Sequence, residues 1–221
     1  MHPASQRARR RRRNRPRGFT LLETALAVII IGVGVVAVVD AQQSFMMANR
    51  WSSHAATATY LANEVRELTR PLRRHDPVTG LEIVGSALVG WGPEPGEVTV
   101  GDFNDIDDFA GIRFGDGGDM PGPINGFGEV IFEIDPDGNV VRDNDNNPVP
   151  MRGWSQLVLV DKVHPFDTSL SLAPNYFEPA SGTSPGRAVD EFPLRVTVVV
   201  SYREPGAAQA EEIVRVSWIV P

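Results

Sequence analysis

Four aspartates, Asp102, Asp105, Asp107 and Asp108, fall within seven positions, and Asn104 adds an amide oxygen among them. Carboxylate and amide oxygens are the ligands that hard cations take, so calcium is the chemistry this run would support. A second run, Arg142-Asp143-Asn144-Asp145-Asn146-Asn147, offers similar oxygens. Neither has the D-x-[DN]-x-[DN]-G spacing of an EF-hand loop, and Gly111 lies too far from the start of the first run. A solvated turn is the competing reading of both. One more acid stands apart: Glu23 lies inside an apolar stretch that runs from Phe19 to Val39. A charged side chain at membrane depth costs about 3 kcal/mol on insertion scales, so it is normally there for a partner. The competing reading is an acid near a helix start that reaches the headgroups.

The elements that would position these groups can be read from the same sequence. The first 18 residues carry eight arginines and no acid, which holds such a segment on the cytoplasmic side. The 21 residues from Phe19 to Val39 would give a helix of about 31 Å, enough to cross a hydrocarbon core of about 30 Å. The run is longer than the apolar core of an ordinary secretory signal. Gly32 and Gly34 within it would let neighbouring helices approach closely, or are ordinary membrane-helix glycines.

The order basic leader, Gly18-Phe19-Thr20-Leu21-Leu22-Glu23, apolar run resembles the class III signal of type IV prepilins and type II secretion pseudopilins. The resemblance covers about the first 40 residues. It implies that a prepilin peptidase cuts after Gly18 and methylates Phe19, and that Glu23 meets the N-terminal amine of a neighbouring subunit during assembly. It also implies an α+β, pilin-like fold in which a long N-terminal helix packs on an antiparallel β-sheet head. The expected organisation is a leader over 1–18, a transmembrane half-helix over 19–40, an exported half-helix over 41–70 and a β-rich head over 71–221. Expected partners are other pilin or pseudopilin subunits, the peptidase and the inner-membrane assembly platform. The expected location is the bacterial inner membrane, single pass, with the C-terminal domain periplasmic, or a surface filament after assembly.

The stretch Phe103-Asn104-Asp105-Ile106-Asp107-Asp108-Phe109 is also similar to a segment of minor pilins of the mannose-sensitive haemagglutinin class, which favours a minor over a major subunit. The alternative is a membrane-tethered, calcium-dependent adhesive or binding module outside any filament.

Removing the leader shifts the balance from 21 basic and 28 acidic residues to 13 − 28 = −15 over 203 residues. Such a chain is a poor binder of nucleic acid, which needs clustered Lys and Arg. With no cysteine, disulfides, zinc-cysteine sites and thiol nucleophiles are excluded. His54, His75 and His164 stand in no recognised catalytic context, and neither G-x-S-x-G nor H-E-x-x-H occurs, so no enzyme is expected.

In the exported part, Ala58, Leu61, Val65 and Leu68 recur at helical spacing and Pro71 supplies a stop. Strands are predicted over 81–89, 97–100, 129–134, 156–163, 194–202 and 213–220. The last two form a hairpin, and a second hairpin turns at Asp135-Pro136-Asp137-Gly138-Asn139. The final strand is read as protected inside the sheet, 174–186 as a loop, and no repeat of fixed period is evident.

Overall fold

A computed structural model describes residues 19–221. One helix, α1 (Leu21–Thr69), is followed by seven strands: β1 (Glu82–Val84), β2 (Ala87–Val89), β3 (Arg113–Gly115), β4 (Trp154–His164), β5 (Asp167–Leu172), β6 (Leu194–Tyr202) and β7 (Glu211–Val220). This is the expected α+β, pilin-like combination of a long N-terminal helix and antiparallel sheet. Contacts divide the chain into a unit that ends at Arg50 and a compact unit from Trp51 to Pro221. The expected leader, 1–18, lies outside the described residues.

In the first unit every described side chain is exposed. In the second, Ala58, Leu61, Ala62 and Val65 are wholly buried, and the predicted stripe therefore does pack on a sheet. Leu68 is half-covered against the same cluster. Facing the stripe are Val158 and Val160 of β4, and Val196, Val198 and Val200 of β6. Burying a Leu or Val side chain stabilises by about 1.5–3 kcal/mol, so this short stretch of helix is a main part of the core.

The sheet runs β3-β4-β6-β7, with β5 pairing the far end of β4 beyond β3. β4 and β6 pair from Trp154↔Tyr202 to Lys162↔Leu194. β6 lies between two partners and is covered almost throughout, which suits its Val198-Val199-Val200 run. The expected hairpin of the last two strands forms from Leu194↔Val220 to Tyr202↔Glu211. β7, however, is an edge strand, not an interior one. Its outward charges, with Arg215 paired to Glu212 at 2.9 Å, suit an edge that must not pair at random.

Three other expectations change. Residues 81–89 form two strands, because Gly85 (φ +68°) and Ser86 make a two-residue turn and Val84 pairs Ala87. Residues 97–100 form turns instead of a strand: Glu97 N–H donates to the Glu94 carbonyl and Asp102 N–H to that of Thr99. Residues 129–134 make isolated bridges, Ile124↔Val130, Phe132↔Pro150 and Ile134↔Val140. Pro148 and Pro150 in the facing segment have no N–H to continue a ladder. β3 and β5 were not predicted.

The region 125–147 holds an unpredicted repetition. Asn125, Asp135 and Asp143 each accept, through Oδ1, the backbone N–H two and four residues on. The fourth residue of each turn has positive φ: Gly128 (+78°), Gly138 (+87°) and Asn146 (+66°). Asp135-Pro136-Asp137-Gly138-Asn139 is thus the expected turn, and it is one of three alike.

Candidate functional site

Two sites follow from the sequence expectations, one in each unit. At the start of α1, Thr20 and Glu23 form a reciprocal cap. Glu23 N–H donates to Thr20 Oγ1 at 3.3 Å, and Thr20 N–H donates to Glu23 Oε2 at 3.3 Å. This S/T-x-x-E capping box satisfies two of the donors a helix start leaves free. It gives Glu23 a local role that the sequence reading missed, although Thr20-Leu21-Leu22-Glu23 carries its signature. Phe19 is exposed and Gly18 lies outside the described residues. Gly32 and Gly34 have open space where a Cβ would stand, so none of the described residues requires their smallness. Each costs about 1 kcal/mol of helix propensity relative to Ala.

In the second unit, the Asp run is a tight turn ending in a 3-10 stretch over Asp107–Phe109. Phe103, Ile106 and Phe109 insert into the core and pull the acids between them inward. Asp105, Asp107 and Asp108 are completely buried. Asp105 and Asp108 each give one carboxylate oxygen to the turn itself. Asp105 Oδ1 accepts the N–H groups of Asp107 and Asp108 at 2.9 and 3.2 Å, and Asp108 Oδ2 accepts those of Asn104 and Asp105 at 2.9 and 3.2 Å.

The four predicted aspartates separate into three roles. Asp102 turns away and caps a neighbouring turn, accepting from Thr99 N–H at 2.9 Å and Thr99 Oγ1 at 2.8 Å. Asp107 lies 2.6 Å from Nδ1 of the buried His75. Burial disfavours charge on both partners, pushing the His75 imidazole down to about 4 and the Asp107 carboxyl up to about 7. Asp105 and Asp108 meet Glu94, which comes from the Pro/Gly-rich segment 92–96, and the three offer oxygens all within 4.8 Å of one another. Glu94 belongs equally to a second such group with Asp76 and Glu97. Asn104 ties that group together, donating to Glu97 Oε1 at 2.8 Å and to Asp76 Oδ2 at 3.2 Å.

Residues 13–39 match the prokaryotic N-terminal methylation motif. The N-terminus is a prepilin-type methylation signal. The match spans the end of the basic leader, Gly18-Phe19, Glu23 and the whole apolar run, and it is of the kind found in type IV prepilins and pseudopilins. No curated protein and no solved structure matches the chain.

The signal and the helix agree physically. α1 holds a stretch long and apolar enough to cross a membrane, with none of it buried among the described residues. Leu26, Ile29, Ile30, Ile31, Val35 and Val38 are all exposed, which water does not tolerate over such a length. Methylation signal and uncovered helix together fit a membrane-anchored, single-pass subunit of pilin or pseudopilin type.

The second acidic run, Arg142–Asn147, has a structural explanation. Asp143 is the first residue of the third Asx turn, Asn147 Nδ2 returns to it at 3.4 Å, and Arg142 donates to the Asn146 carbonyl at 2.7 Å. Glu94 is the residue that sequence reasoning missed at the other cluster. Its one signal was an acid between two prolines, Pro93-Glu94-Pro95, in a segment too rich in Pro and Gly to be regular structure.

Proposed function

We propose that the protein is a non-enzymatic minor pilin or pseudopilin subunit, assembled through α1 into a type IV pilus or a type II secretion filament. The observation that carries this reading is the methylation signal set on a helix whose apolar surface is left uncovered by the described residues. The peptidase cuts after Gly18, methylates Phe19 and removes the basic leader. Lipid covers the helix before assembly, and neighbouring helices cover it afterwards.

Beyond Val39 the exposed apolar surface continues with Phe45, Met46, Met47 and Trp51, further than lipid needs and in keeping with helix-to-helix packing. Gly32 and Gly34 support the same reading, since close approach of a neighbour gives their smallness a use. Glu23 would exchange its capping partner for the methylated amine of the adjacent subunit, which fixes the axial offset between helices at a point where an unpaired charge is costly. The compact unit from Trp51 onward would face the periplasm, or the surface of the filament.

The test is the mass of the N-terminal peptide from the native host, with and without the prepilin peptidase. A peptide that begins at methylated Phe19, and is lost with the peptidase, is expected, together with recovery of the protein in filaments that depend on the assembly ATPase. An intact leader, or cleavage near Ala41, would overturn the filament reading and leave a tethered or released binding domain.

A further inference from the structure

The buried acids of the second unit are short of partners. Asp105 Oδ2, Asp108 Oδ1 and both carboxylate oxygens of Glu94 are shielded from solvent and accept no hydrogen bond. Asp105 and Asp108 have no exposed surface at all, and their other oxygens are already fixed by backbone N–H groups. Asp105 Oδ2 and Asp108 Oδ1 therefore cannot swing out to water without dismantling the turn. Among the described residues, the ion pairs formed by arginine and lysine involve none of Glu94, Asp105 and Asp108.

Buried polar atoms in native proteins are almost always paired, so four orphaned oxygens at one spot call for a ligand that supplies positive charge without needing a donor hydrogen. We propose that Glu94, Asp105 and Asp108 hold a calcium-sized divalent cation, with Glu97 and Asp76 at its margin. The donor set is all oxygen, which selects hard cations over zinc or copper. Calcium takes ligands at about 2.3–2.6 Å, so oxygens on opposite sides of the ion stand about 5 Å apart. The separations here, all within 4.8 Å, fit one ion. The ion would join the 92–97 segment to the Asn104–Phe109 turn, beside the hydrogen bond that Asn104 donates to Glu97. This site differs from the four-aspartate loop that the sequence suggested: Asp102 and Asp107 are outside it, and Glu94 is inside.

Calcium titration of the full-length protein in mild detergent tests the assignment, with uptake read by calorimetry and unfolding by tryptophan fluorescence. One calcium per chain is expected, with a dissociation constant of about 10⁻⁴ M, the range of modules outside the cytosol. The unfolding temperature should rise on adding calcium and fall back with chelator. Glu94→Gln is the decisive variant, because the Glu94 carboxylate makes no hydrogen bond that folding needs. It should weaken calcium uptake at least about tenfold, yet in chelator unfold at or above the wild-type temperature, because it removes repulsion among buried acids. Asp143→Asn, in the third Asx turn, should alter neither quantity. No calcium uptake at about 5 mM, well above that range, would overturn the proposal. So would uptake that survives both Glu94→Gln and Asp105→Asn, or uptake lost through Asp143→Asn.

Discussion

The side chain of Gln156, wholly buried near the start of β4, donates to the backbone carbonyl of Leu61 in α1 at 2.8 Å. The same amide donates to the Ile124 carbonyl at 3.0 Å and accepts from Ile124 N–H at 2.8 Å. One residue therefore fixes helix, sheet and the start of the long connection to one another. Gln156→Leu has nearly the right volume but leaves the Ile124 N–H and carbonyl unpaired in the core. A loss of about 2–4 kcal/mol is expected, because each buried unsatisfied group costs about 1–3 kcal/mol. Denaturant unfolding of the detergent-solubilised protein, followed by tryptophan fluorescence, checks it.

Thr20 and Glu23 allow capping to be separated from assembly. Gln can occupy the same place in a capping box but carries no charge. Glu23→Gln is therefore expected to be cleaved and inserted like the wild type and to be absent from sheared surface filaments. Thr20→Ala removes the cap and keeps the charge. It is expected to cost about 1 kcal/mol of local helix stability and still to assemble. Immunoblots of membrane and filament fractions distinguish the two; filament incorporation of Glu23→Gln equal to wild type would remove the assembly role.

Lys162 is buried at the end of β4, where its ammonium donates to the carbonyls of Pro174, Tyr176 and Val189 and so fastens the 174–190 connection. Lys162→Met should loosen that connection first, seen as faster amide hydrogen exchange over 174–190 with the β4–β6 ladder still protected. Burial pushes the lysine pKa down from 10.5 to about 8. Below about pH 8 both folded and unfolded chains hold this proton and its effect on stability is constant. Between about pH 8 and 10.5 the folded chain has released a proton that the unfolded chain keeps, so stability rises with pH through that window. The difference between wild type and Lys162→Met, measured by denaturant unfolding across it, should change in that direction.

Asn146 is the non-glycine residue with positive φ among the described residues, at +66°. It occupies the place that Gly128 and Gly138 take in the sister turns. Asn146→Gly is expected to be neutral or slightly stabilising, whereas Asn146→Val should cost about 1–2 kcal/mol, because a β-branched residue is strained there. Thermal unfolding of both variants tests the equivalence of the three turns.

The sequence revealed most where one signal decides the structure locally. The Ala58-Leu61-Val65 stripe needs only helical spacing, and the β6–β7 hairpin only alternation around Pro205-Gly206. The methylation signal is a linear motif by nature. The carboxylate cluster was half legible: Asp105 and Asp108 stand in a visible run, but Glu94 reaches them from another loop and Asp107 is drawn off by His75, 32 residues earlier. Contacts of that kind depend on how loops fold back, which spacing does not encode. The Asx turns were hidden because their first residues are 10 and then 8 apart, one an Asn and two Asp. β7 could not be placed at the edge from its composition, since Val and Ile suit both positions.

Because the compact unit begins at Trp51 while α1 begins at Leu21, one helix is subject to two rules of mutational tolerance. Over 21–39, exchanges among Val, Ile and Leu change neither the length nor the apolarity that lipid demands, and drift there should be nearly free apart from Glu23, Gly32 and Gly34. Over 58–65 the same exchanges alter volume inside a closed core, where even one methylene is felt. Related chains should therefore diverge by interchange of aliphatic residues in the first stretch and by compensated pairs, helix against β4 or β6, in the second.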